Sequence, residues 1–138
     1  MHPRLHVVTL AVADLPRALA FYRDGLGWKV AKERPAYAYF ATEGGPWIAL
    51  CERKLVKDEI GTDEEVVALI SQNVRTRQEV DAVLHAAEKA GARIARRASD
   101  RVWGGRSGSF ADLDGHYWEI TWNPRAVIEP DGGVSSFG

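Results

Sequence analysis

An α+β fold of two tandem βαβββ modules is predicted by three features of the chain. One order of elements occurs twice, each apolar helix face follows a short β-branched run, and each half closes on a glycine turn and an aromatic strand. Leu5 to Val12 is the first such run. It stops at Asp14, a residue suited to cap the helix suggested by Leu15 to Asp24, where Ala18, Phe21 and Tyr22 share one face and Gly25 and Gly27 mark the end. Val66 to Val74 is the second run. Behind it Thr76-Arg-Gln-Glu79 reads as a capping box, and Val80, Val83, Leu84 and Ala87 follow at helical spacing until Gly91.

Val7 aligns on Leu69, Val12 on Val74 and Asp14 on Thr76 with one offset, and the second helix is longer by two residues before Gly27 meets Gly91. Each helix precedes a strand (Lys29 to Glu33; Ala92 to Ala98), a second strand (Tyr37 to Ala41; Gly108 to Asp112), a turn (TEGGP; DLDG) and an aromatic strand in which WIAL (47–50) lies on YWEI (117–120). One module alone leaves a sheet face uncovered, so the two are expected to pack together.

The chain has 138 residues with 46% hydrophobic side chains, enough for one domain with a real core and too few for two of ordinary size. That domain is expected over residues 1–124, with module one at about 4–53, module two at about 65–124, and a Gly- and Ser-rich tail at 125–138. A formal charge of -1 argues against nucleic-acid binding, which needs an excess of Lys and Arg. The longest basic stretch (Arg93, Arg96, Arg97, Arg101 and Arg106) reads as a solvated edge strand and loop. A lone Cys51 excludes an internal disulfide and fits a reducing compartment. No run is long enough to span a membrane, and the N-terminus lacks the order of a secretory signal. A cytoplasmic protein is expected.

The stretches VVTLAVADLPRALAFYRDGLGW and FADLDGHYWEITWNP carry a D-L-x-R-A-x-x-F-Y-x-x-x-L-G pattern at Asp14 to Gly27 and a D-x-D-G-x-x-x-E pattern at Asp112 to Glu119. Together they resemble the vicinal oxygen chelate superfamily, which holds glyoxalase I, extradiol dioxygenases and the fosfomycin- and bleomycin-resistance proteins. The resemblance implies a curved, mostly antiparallel eight-stranded sheet with the site on its concave side. It also implies that the catalytic members' four metal ligands come from the first and fourth strands of both modules.

Those four places are Val7, Ala49, Leu69 and Glu119, and three of them cannot ligate a metal. His6 is one residue from Val7 and His116 three from Glu119, so strand alternation turns both away unless the register slips. The DLDG turn begins like a calcium loop but lacks the ligands farther along. A metal-free protein without a cofactor is expected.

With Glu119 facing inward, alternation puts Tyr117 and Thr121 beside it and Val7, Thr9, Trp47, Ala49, Cys51, Val67, Leu69 and Ser71 on the same face. The result is an apolar, aromatic cup with one acid, and the loop at Trp103 is expected at its rim. Such a cup suits a small planar or partly apolar ligand. Glu119 is then an orienting acceptor or a general base raised by apolar walls, or else a relic bonded to Thr9, Ser71 or Tyr117. Cys51 has no His on its face to deprotonate it and reads as a small buried side chain. Two functions remain open. One is a metal-independent binding protein similar to the bleomycin-resistance members. The other is a divalent-metal-dependent lyase, isomerase or dioxygenase like the metal-using relatives. The resemblance implies a homodimer in either case.

Overall fold

The structure, a computed structural model, describes residues 1, 3, 5–60 and 63–138, of Ile60 only the backbone; Arg4, where module one was expected to begin, lies outside them. The first module runs β1 (Val7–Val12), α1 (Leu15–Leu19), β2 (Val30–Arg34), β3 (Tyr37–Phe40) and β4 (Trp47–Glu52). After α2 (Arg53–Ile60), the second runs β5 (Leu69–Asn73), α3 (Arg77–Lys89), β6 (Arg93–Asp100), β7 (Arg106–Ala111) and β8 (Tyr117–Trp122). The predicted βαβββ order is therefore present twice. Each module forms a four-stranded sheet, ordered β1-β4-β3-β2 and β5-β8-β7-β6. The first and fourth strands of each module are parallel and the other pairs antiparallel. Among the described residues no strand ladder runs from one of these sheets to the other.

The registers match as the repeat demands: Val7 pairs with Trp47 where Leu69 pairs with Tyr117, and Thr9 with Ala49 where Ser71 pairs with Glu119. One face of each sheet packs on helices. Leu10, Phe40, Ile48 and Leu50 from the first and Phe110, Trp118 and Ile120 from the second join Leu15, Phe21, Tyr22, Val80 and Leu84 in one core. The helix beginning at α1 widens into a π-helical segment over Ala20–Gly25, where the Leu26 N–H donates to the Phe21 carbonyl. Phe21 and Tyr22 are successive residues, yet both are buried there, edge to face at 4.9 Å between ring centroids. At the end of the segment a Cβ on Gly25 would meet the Ala90 Cβ at 2.5 Å, so glycine lets the two helices approach.

Two elements went unread in the sequence. Helix α2 packs against β4 and β1. Residues 125–138, expected to be a tail, fold back as a hairpin of β9 (Val127–Ile128) and β10 (Val134–Ser136). The Arg75 guanidinium donates to the Ile128 and Glu129 carbonyls at 3.0 and 2.7 Å, while Gly44 of the TEGGP turn, at φ 60°, abuts Gly133. The hairpin thus links Arg75, between β5 and α3 of module two, to a turn of module one. No helix among the described residues is long and apolar enough to cross a membrane.

A buried polar knot joins the modules. The Tyr22 hydroxyl donates to Asp112 Oδ2 at 2.6 Å and accepts from Trp118 Nε1 at 3.0 Å. Asp112 Oδ1 accepts from the backbone N–H of Asp114 and His116, each at 2.9 Å. His116 Nε2 lies 2.7 Å from the Ala11 carbonyl in β1, and its Nδ1 accepts from the Ala68 N–H at 3.1 Å. Both contacts are satisfied by the neutral Nε2–H tautomer. Burial, with the Asp112 carboxylate beside it, pushes the Tyr22 phenol up, so it stays a donor. Tyr22→Phe leaves Asp112 Oδ2 and Trp118 Nε1 short of a partner and is expected to lower stability by about 1–3 kcal/mol. A urea unfolding curve checks this, and an unchanged midpoint would show that the knot contributes no net stability.

Candidate functional site

The sheet faces turned away from the core carry the chemistry. On the first sheet the open face holds Val7 beside Trp47, then the row Thr9–Ala49–Tyr39–Lys32, then Ala11–Cys51–Tyr37–Arg34. Val7 and Trp47 are 41% and 44% exposed, whereas Ala11, toward α2, is 3% exposed. Tyr39 lies edge-on between Tyr37 and Trp47, at centroid distances of 5.4 and 6.4 Å. This is an aromatic wall, and alternation read from the sequence placed only Trp47 in it.

The second open face has a different character. Its rows are Leu69–Tyr117–Ala111–Arg93, Ser71–Glu119–Ser109–Arg96 and Asn73–Thr121–Ser107–Ser99. Glu119 is 41% exposed; its Oε1 accepts from Thr121 Oγ1 at 3.3 Å, and its Oε2 lies 3.8 Å from Arg96 Nη2. Its partners are therefore Thr121 and Arg96, in place of Thr9, Ser71 or Tyr117. The apolar walls expected around it are serines, a threonine and arginines. The same Arg96 Nη2 donates to Ser107 Oγ at 3.0 Å, and Arg96 Nε is buried without a hydrogen-bond partner among the described residues. Arg93 donates to the Tyr117 hydroxyl at 3.1 Å and lies over that ring. Arg93 and Arg96, read as a solvated edge, thus belong to this face and touch its two central side chains.

The predicted site residues fall into two groups. Val7, Thr9, Trp47, Ala49 and Cys51 share the first open face, and Leu69, Ser71, Tyr117, Glu119 and Thr121 the second. No hydrogen bond or ring contact links the groups among the described residues. The Trp103 ring folds over Gly105, where a Cβ would meet it at 2.0 Å, and makes no such contact with Glu119. Burial, with Glu52 and Glu59 nearby, pushes the Cys51 thiol up, so it is a poor nucleophile at neutral pH.

The implied metal set does not fit this chain. Val7, Ala49, Leu69 and Glu119 offer one donor, and that carboxylate is engaged by a guanidinium which repels a second cation. The β1 pairing runs in step from Val7 to Val12, so no slip brings His6 onto the open face. Both nitrogens of His116 are committed to the backbone. Among the described residues no three His, Cys, Asp or Glu side chains gather where an ion would sit.

Comparison with known proteins agrees with this architecture. No curated protein matches the chain. Among solved structures, a glyoxalase-related enzyme from Fulvimarina pelagi is 29% identical, with a TM-score of 0.90 over 97% of this chain and 98% of its own. A hypothetical protein from S. aureus is 25% identical, with a TM-score of 0.73 over 88% and 94%. A lactoylglutathione lyase from Agrobacterium tumefaciens, at 18% identity and a TM-score of 0.70 over 88% and 95%, shares the fold alone. The model of one family matches residues 4–120, nearly both modules, and the chain belongs to that family, the Glyoxalase/Bleomycin resistance protein/Dioxygenase superfamily.

Proposed function

We propose that this chain binds a small, partly apolar molecule on its open sheet faces without a resident metal, and that two copies pair to complete the binding site. The observation that carries the reading is the donor set: at the four places where relatives are expected to hold an ion, this chain has Val7, Ala49, Leu69 and a Glu119 already engaged by Arg96 and Thr121. The aromatic wall of Tyr37, Tyr39 and Trp47 supplies flat apolar area, and half-exposed Glu119 supplies an acceptor for a ligand hydroxyl. Pairing is supported by Val67, left 67% exposed just ahead of β5, whose outer edge pairs with no strand among the described residues. Cys51, with its raised thiol, serves as wall and takes no covalent role.

Protein purified without chelator is expected to carry no stoichiometric divalent metal, and its melting temperature to stay unchanged when manganese, iron(II), nickel or zinc is added. A bound equivalent by elemental analysis, or a clear rise in melting temperature, would support the metal-dependent lyase, isomerase or dioxygenase reading instead. Sedimentation equilibrium is expected to give twice the chain mass, and a monomer at micromolar concentration would remove pairing from the reading. Calorimetric titration with 2-naphthol is expected to show saturable binding that Trp47→Ala weakens, and Glu119→Gln to weaken it by about tenfold through loss of a charge-assisted hydrogen bond. Equal affinity in the Glu119→Gln variant would take Glu119 out of ligand recognition.

A further inference from the structure

Strand β6 aims its cations by a device that occurs twice. In an unbroken strand Arg93 and Arg96, three positions apart, face opposite ways. The pairing with β7 shifts register between Ile94 and Arg96, and this bulge brings Arg96 onto the open face with Arg93. At the matching place in the first module β2 shifts between Val30 and Lys32, so Val-Ala-Lys and Ile-Ala-Arg each deliver a cation to an open face.

We propose that the open face of the second sheet is a carboxylate-binding subsite, in which the Arg96 guanidinium grips the carboxylate of a ligand whose apolar part lies on Tyr117 and Leu69. This rests on the small-molecule reading above and names its ligand class, a ring-bearing organic monoanion. The guanidinium is set in place yet under-used. Ser107 Oγ fixes Nη2 at 3.0 Å, and Glu119 Oε2 stands off at 3.8 Å, beyond hydrogen-bond reach. Nε is buried without an acceptor, while Nη1 makes no hydrogen bond among the described residues and the side chain as a whole is 40% exposed. A guanidinium anchored through Nη2 with Nη1 unfilled offers its outer edge to a carboxylate. Arg93, held by the Tyr117 hydroxyl, adds a second positive charge, so the face carries two cations against the single Glu119. Tyr117 and Leu69, 40% and 70% exposed in the adjoining row, give the ring of such a ligand somewhere to lie.

Calorimetric titration with 2-naphthoate and the uncharged 2-naphthamide tests this at low ionic strength. The wild-type chain is expected to hold the carboxylate about tenfold more tightly than the amide, since a charge-assisted fork is lost with the charge. Arg96→Gln is expected to erase the preference and leave amide binding in place. Glu119→Gln, which removes the competing anion, is expected to tighten 2-naphthoate while weakening 2-naphthol. Equal affinity for the two probes in the wild type, or a preference that survives Arg96→Gln, overturns the subsite. If Arg96→Gln does not fold, a Glu119→Gln protein with unchanged or weaker 2-naphthoate binding overturns it as well. When 2-naphthol or the amide binds and the carboxylate is not preferred, only this inference fails. When none of the three probes binds, the small-molecule reading fails with it.

Discussion

The structure depends on one buried cluster, the contact of Tyr22, Asp112 and His116 across the two modules. A carboxylate 6% exposed is costly unless donors surround it, and here the Tyr22 hydroxyl and two backbone N–H groups do so. Two of those donors, the Asp114 and His116 N–H groups, close the DLDG turn locally, and the third, from α1's π-helical continuation, docks the turn on the other module. Its next residues dock too: Asp114 Oδ1 accepts from the Ala13 N–H at 2.8 Å, and His116 spans from Ala11 in β1 to Ala68 before β5. With the start of β8 pinned in this way, alternation leaves Tyr117, Glu119 and Thr121 no choice of face. The position of the one open-face acid therefore follows from a hydrogen-bond network on the far side of the sheet.

The second constraint is the register shift in the outer strand of each module. A bulge switches the face of the side chains that follow it, and one falls at Ala31 and another at the equivalent Ala95, although β6 shifts again between Arg96 and Ser99. In the second module the shift sets a guanidinium beside the only acid of that face. This changes what the face can attract: a lone carboxylate among apolar groups recruits cations, whereas one shadowed by Arg93 and Arg96 does not. The departure from the family's metal set is thus double, three missing donors and an added positive charge.

Much of this was legible in the sequence because duplication leaves its period there. The repeat that laid Val7 on Leu69 and Ala49 on Glu119 reappears as matching strand registers, and the Thr76 to Glu79 capping box closes as read, with the Glu79 N–H on Thr76 Oγ1 and the Thr76 N–H on Glu79 Oε2. What failed did so for physical reasons. Helix α2 follows β4 directly at Arg53, without the Ser, Thr, Asp or Asn that announces a helix start. The hairpin at 127–136 is too short to show alternation, and Asp131-Gly132-Gly133 reads equally well as a turn or a loose end. Arg93 and Arg96 were read as a solvated edge because a basic stretch on an outer strand gives no sign of its facing, and the bulge that turns Arg96 onto the open face leaves no sequence mark.

Duplication also explains why the two open faces differ although their backbones agree. The row Thr9–Ala49–Tyr39–Lys32 is the counterpart of Ser71–Glu119–Ser109–Arg96, so backbone geometry is held constant and the comparison isolates side-chain chemistry. In the first row alanine replaces the acid and tyrosine the serine; Lys32 lies over Tyr37 at 5.9 Å from its centroid, with no carboxylate in its row. The second row converts the same positions into hydrogen-bonding and charged groups. An apolar surface selects a ligand by area and shape, while a fixed charge selects by sign and geometry. On the proposed small-molecule reading, the first module contributes aromatic area and the second the charges that discriminate, a division that one scaffold copied twice permits.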